Sequence, residues 1–106
     1  KQKQNSKTKK IQNLQDGEIP PTLQHSGNTI NLRGNTVDES LDKLDIELDK
    51  MNRMQVDRVV IIHGHGMGKI KESVRKHLEE SSYKLRYRSG RQGEGGDGVT
   101  IVAFDD

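Results

Sequence analysis

The chain contains no cysteine and no tryptophan, two prolines, and three aromatic residues in 106 positions. The missing cysteines exclude disulfides and cysteine-bound metals and fit an intracellular setting. With so few aromatics, Tyr83, Tyr87 and Phe104 are needed as core volume, so tyrosine platforms for stacking bases are not expected. No apolar run approaches the roughly 20 residues that span a bilayer, and no signal peptide is visible. The chain opens on Lys1 rather than Met, which reads as a piece excised from a longer protein. Apolar residues make up 28% of the chain and mean hydropathy is −0.96. These values allow one domain at most, with part of the chain left as a tail.

Charge is present but unevenly placed. The net charge of +2 hides five Lys against Asp16 and Glu18 in residues 1–29, seven acids against three bases in residues 37–57, and eight bases against three acids in residues 63–91. The last segment makes a basic face suited to a polyanion such as nucleic acid. Residues 1–27, polar and carrying Pro20-Pro21, read as a disordered linker, and residues 28–106 as the folded domain.

Within that domain the stretch from Arg58 to Glu80 organises the rest. Val59-Val60-Ile61-Ile62 is a β-branched run suited to a strand covered on both faces. His63-Gly64-His65-Gly66-Met67-Gly68 then places glycine at every second position, and Ile70, Val74 and Leu78 follow at helical spacing. A helix beginning under such a loop turns its positive dipole end and unpaired N–H groups outward, as an anion or phosphate site. Upstream, Thr29 to Arg33 alternates as a first strand. Thr36-Val37-Asp38-Glu39 is a capping box, and Val37, Leu41, Leu44, Leu48 and Met51 stripe one helix face. The acids on the outer face of that helix read as a solvated surface. Downstream, Tyr83 to Arg88 alternates as a half-exposed third strand, Ser89 to Gly98 reads as a mobile loop, and Val99 to Phe104 as an interior strand. The order is βαβαββ, a two-layer α/β domain.

If the first three strands run parallel, Arg33, the 63–69 loop and Arg88 share the C-terminal edge of one sheet, where open α/β sheets place ligands. Arginine, two histidines, backbone amides and a helix N-terminus there can hold a phosphodiester, and a histidine can move a proton during its cleavage. His63 is the candidate acid or base and Arg33 the candidate phosphate holder; the plainer alternative makes His63 structural. Lys69, Lys71, Arg75, Arg88 and Arg91 are the candidate phosphate contacts, with Gly64, His65, Gly66 and Gly68 in the loop. A zinc pair of His63 and His65 lacks a third ligand, since His25 and His77 lie in the tail and on a helix.

Leu32-Arg33-Gly34, Ile61-Ile62-His63-Gly64-His65-Gly66-Met67-Gly68 with Ile70 to Leu78, and Gly95-Gly96-Asp97-Gly98-Val99-Thr100 occur in an order that resembles the Smr (small MutS-related) domain. The likeness is strongest to the variety found in MutS paralogues of the second type, and it covers residues 28–106. It implies an α+β two-layer sandwich like the C-terminal domain of translation initiation factor three, with a mixed four-stranded sheet whose fourth strand lies between the second and third. His63, Gly64, Gly66 and Gly68 match the family's HGxGxG loop, Arg33 its LRG position, and Gly95, Gly96 and Gly98 its second glycine-rich loop. Two positions depart from the pattern: Asn31 stands where the family usually has Asp, and His65 where it usually has Lys or Arg. Asn can act neither as a base nor as an anionic metal ligand.

The resemblance implies a DNA-binding domain that nicks branched or supercoiled DNA, within a dimeric MutS-like repair ATPase whose nucleotide site lies elsewhere. It places the protein in the cytoplasm, at the nucleoid or in an organelle, away from membranes. The residues themselves imply no cofactor, and Mg2+ or Mn2+ is the one this chemistry admits. The alternative is a non-catalytic module for DNA, RNA or the ribosome, which Asn31 favours. A third reading is protein docking through the acidic first helix.

Overall fold

A computed structural model describes residues 19–66 and 68–105. Its elements are β1 (Thr29–Asn31), α1 (Val37–Arg53), β2 (Arg58–Ile62), α2 (Lys69–Glu79), β3 (Leu85–Ser89), a 3-10 turn (Gly96–Gly98) and β4 (Val99–Phe104). The four strands form one sheet of order β1-β2-β4-β3. β1 and β2 are parallel, and β4 runs antiparallel to both β2 and β3. The C-terminal ends of β1, β2 and β3 therefore meet the start of β4 along one edge, as the sequence anticipated.

The period-two alternation of strands sorts the core. On the helix-covered face, Ile30, Val59, Ile61 and Val102 pack with Leu44, Leu48 and Met51 of α1 and with Val74 and Leu78 of α2. On the other face, Val60, Val99, Ile101 and Ala103 pack with Ile19. β2 and β4 are thus covered on both sides, which explains their unbroken apolar runs. Thr36 caps α1 as expected: its hydroxyl accepts from Glu39 N at 3.1 Å, and the Glu39 carboxylate accepts from Thr36 N at 2.9 Å.

Three expectations are corrected. Residues 1–18 of the expected linker lie outside the described residues, but Ile19 and Thr22 are buried against the domain, while residues 23–27 stay exposed. The loop from Ser89 to Gly98, expected to be mobile, is folded on itself. Gly90 N bonds Val99 O at 2.9 Å, Glu94 N bonds Arg91 O at 2.8 Å, and Gly96 N bonds Arg91 O at 3.1 Å. At Gly95, where φ is +112°, an added Cβ would lie 2.5 Å from Val99 Cγ2, so glycine is required there. Arg88, expected on the phosphate-contacting surface, is 3% exposed.

Burial of Arg88 and the order of that loop have one cause. Arg88 donates Nε to Ile19 O at 2.9 Å, Nη1 to Ser89 O at 2.9 Å and to Glu94 Oε1 at 2.7 Å, and Nη2 to Pro20 O at 2.9 Å and to Glu94 Oε2 at 3.0 Å. A guanidinium has five N–H donors, and these five bonds use them all. Glu94 also accepts from Arg91 N at 2.7 Å and Thr22 N at 2.8 Å. The Arg88 hydrogen bonds are the main cause that holds its pKa down at about 2, against an ordinary 4.5.

A carboxyl whose pKa is depressed on folding stabilises fully above its unfolded value and loses that contribution as pH falls through the folded one. Stability of the domain should therefore decline from pH 4.5 toward pH 2. Glu94→Gln, which leaves a buried guanidinium facing a neutral amide, should lower the unfolding free energy by about 3 kcal/mol in urea titrations at pH 7. A change below about 0.5 kcal/mol would show that the pair is not a structural tie.

Candidate nucleic-acid interface

At the C-terminal edge of the sheet, just past β1, the Arg33 backbone N–H donates to the Asn31 side-chain oxygen at 3.1 Å. The same oxygen accepts from Arg33 Nε at 3.2 Å, which aims the exposed guanidinium along the edge. Asn31 is therefore a holder of Arg33. The Arg33 stem lies against Gly64, where φ is +83° and an added Cβ would sit 3.3 Å from Arg33 Cγ. Glycine permits both the turn and the approach.

The two histidines of the loop have different surroundings. His63 is 6% exposed. Its Nδ1 lies 3.1 Å from Gly64 O, and its Nε2 lies 2.8 Å from Thr100 Oγ1. A carbonyl only accepts, so Nδ1 carries the proton and Nε2 of the neutral ring accepts from the Thr100 hydroxyl. Thr100 Oγ1 in turn accepts from Arg75 Nε at 3.2 Å, and Arg75 Nη2 reaches Ser89 Oγ at 2.9 Å. Burial is the leading cause that pushes the His63 pKa below its ordinary 6.5, opposed by its bond to the Gly64 carbonyl and assisted by the Arg75 and Lys71 cations. The His63 ring is thus nearly buried and braces the loop, a strut with both nitrogens engaged. His65 is exposed, and its ring rests on Gly98, where an added Cβ would meet three of the ring atoms at 2.8–3.2 Å.

The other expected contacts divide in the same way. Lys69 is exposed in the first turn of α2, and Gly68, at φ +82°, caps that helix without a side-chain bond, so the first amides point outward. Gly66 lies exposed in the same loop. Lys71 pairs with Asp97 at 2.8 Å, and that hydrogen bond is the main cause lowering the Asp97 pKa. Arg75 is held by Thr100 and Ser89 and lies 5.8 Å from the centre of the Tyr87 ring. Arg91 is half-buried, with Nη2 reaching Ile19 O at 3.5 Å. Tyr87 donates its hydroxyl to Glu79 and packs half-buried against the core, while Tyr83, also half-buried, donates to Asp49 at 2.8 Å and meets Phe104 edge-on.

Arg33, Gly64 and His65 share a cleft of about 530 Å³ with Gly93, Glu94, Gly95 and Gly98, floored by Val60, Ile62 and Val99 and closed by Thr22, Leu23 and Gln24. Sequence reasoning missed the wall at residues 22–24 and the part played by Glu94. The one available signal was a single acid inside a glycine run. Among the described residues no group of three or more His, Asp or Glu is placed to hold a metal ion, and no helix is long and apolar enough to cross a membrane.

A mixed sheet of this order, with both helices on one face and a glycine-rich loop feeding α2 at the parallel edge, defines an α+β domain. The model of the Smr domain family matches residues 30–105, and the chain belongs to that family. It is 45% identical over 75 residues to the endonuclease MutS2 of Lachnoclostridium phytofermentans, covering 71% of this chain and 9% of that protein. To the endonuclease MutS2 of Fusobacterium nucleatum it is 35% identical over 98 residues, covering 92% and 12%. The chain thus spans about a tenth of the length of the curated relatives it matches. The crystal structure of the Smr domain of Thermus thermophilus MutS2 superposes with a TM-score of 0.72 at 30% identity, covering 74% of this chain and 99% of that one.

A histidine whose pKa is lowered on folding stabilises fully above its unfolded value, because the unfolded chain takes up a proton below that value and the folded chain does not. His63 should titrate below 6.5 in NMR spectra, and stability should fall as pH drops under that value. A His63 pKa above 6.5 would contradict the neutral strut.

Proposed function

We propose that this domain binds nucleic acid at the C-terminal edge of the sheet and nicks one strand of branched or supercoiled DNA, as part of a larger MutS-like protein. The observation that carries this reading is the exposed Arg33, aimed by Asn31 beside a cleft it shares with Gly64, His65 and the glycines at 93, 95 and 98. Arg33 and the loop amides hold the scissile phosphate, where fixed donors stabilise the charge that develops on its oxygens. Lys69 adds phosphate attraction without sequence preference, and Lys71 joins it by giving up Asp97. The names of the MutS2 relatives support the cleavage assignment.

A second reading, a binding module without catalysis, is favoured by Asn31, which leaves no carboxylate in the position the family usually fills with Asp. The two readings separate on supercoiled plasmid at low salt with Mg2+, Mn2+ or EDTA. Nicking requires conversion to open circles, and Arg33→Ala should slow that conversion at least about tenfold through loss of phosphate contact. A retarded plasmid band without open circles under every condition would select the binding module, and Arg33→Ala would then weaken retardation alone.

A further inference from the structure

We infer that His65, not His63, transfers the proton in this cleavage; the inference rests on the nicking reading above. Among the described residues, the titratable side chains that line the cleft are Arg33, His65 and Glu94. Arg33 does not release its proton near neutral pH. The Glu94 oxygens are filled by two bonds from Arg88, one from Arg91 N and one from Thr22 N, leaving no lone pair for a water. His63 is enclosed, with its Nε2 turned inward to Thr100. Asn31 has no acid–base chemistry, and its oxygen is committed to Arg33. What is left is an exposed imidazole on the cleft wall, next in sequence to the glycine against which Arg33 lies and seated on Gly98.

The charged groups around it are Arg33 from the end of β1, Glu94 within its Arg88 pair, and the Lys71–Asp97 pair between α2 and the 3-10 turn. In the step, neutral His65 takes a proton from a water molecule as the water oxygen bonds phosphorus. The P–O bond to the departing nucleotide breaks, its electron pair goes to that oxygen, and the resulting alkoxide is protonated by solvent. The imidazolium then returns its proton to solvent. The net change is a phosphodiester plus water giving a phosphomonoester and an alcohol, with Arg33 holding the non-bridging oxygens.

The test is the single-turnover nicking rate at saturating plasmid against pH for wild type, His65→Ala, His65→Lys and Gly98→Ala, with DNA affinity measured alongside. General-base removal lowers such rates by about 100-fold or more. The wild-type rate should rise with pH and reach a plateau. That limb should vanish in both His65 variants, whose rates drop about 100-fold, while His65→Lys keeps DNA affinity within about threefold. Gly98→Ala, which displaces the ring, should lower the rate and leave affinity and the shape of the pH profile unchanged. A His65→Lys enzyme that nicks at the wild-type rate, or a pH limb that persists in His65→Ala, would overturn the inference and leave the nicking reading standing. Absence of wild-type nicking in every condition would overturn both.

Discussion

The buried pair of Arg88 and Glu94 is the constraint on which the functional edge depends. Two charges removed from water are costly unless every donor and acceptor is met, and here all five guanidinium donors and both carboxylate oxygens are engaged. The partners come from three separate parts of the chain: the end of β3, the glycine-rich loop after it, and the segment from Ile19 to Thr22. Satisfying one guanidinium therefore fixes the loop, pins the N-terminal segment across the back of the sheet, and raises both walls of the cleft. Its directional bonds set a geometry that the apolar contacts of Ile19 alone would leave loose.

The same division between strut and surface runs through the basic half of the domain. Arg88 and Arg75, two of its cations, are spent on internal bonds, and so is His63. Arg33, His65 and Lys69 stay exposed at the rim, each kept there by a different device: a side-chain acceptor for Arg33, a glycine seat for His65, and a helix start for Lys69. Charge counted along the sequence overstates the charge available to a phosphate, while the placement of the remaining groups concentrates it on one edge.

Much of the fold was legible because it is carried by local signals. The capping box at Thr36 and Glu39, the stripe on α1, the β-branched run of β2 with its loop and helix, and the apolar β4 all form where their residues indicated. What was not legible is non-local. Residues 19–22 look like linker because they carry Pro20-Pro21 and one apolar side chain, and they are tied down by Arg88, 69 positions away from Ile19. Arg88 itself alternates with core residues in β3 and so reads as solvent-facing, yet that face is covered by a segment with almost no apolar signature. Spacing likewise places His63 and His65 in one loop but cannot say which ring turns inward. That choice is made by Thr100, 37 residues downstream of His63.

The most direct test of the account is an amide shift map of the 15N-labelled domain titrated with a short branched DNA at low salt. Shifts are expected at Arg33, Gly64 to Gly66, Gly68 to Lys71 and Gly93 to Gly98, with the exposed face of α1 at Asp42 and Ile46 unmoved. Shifts gathered on α1 with the sheet edge silent would contradict the account.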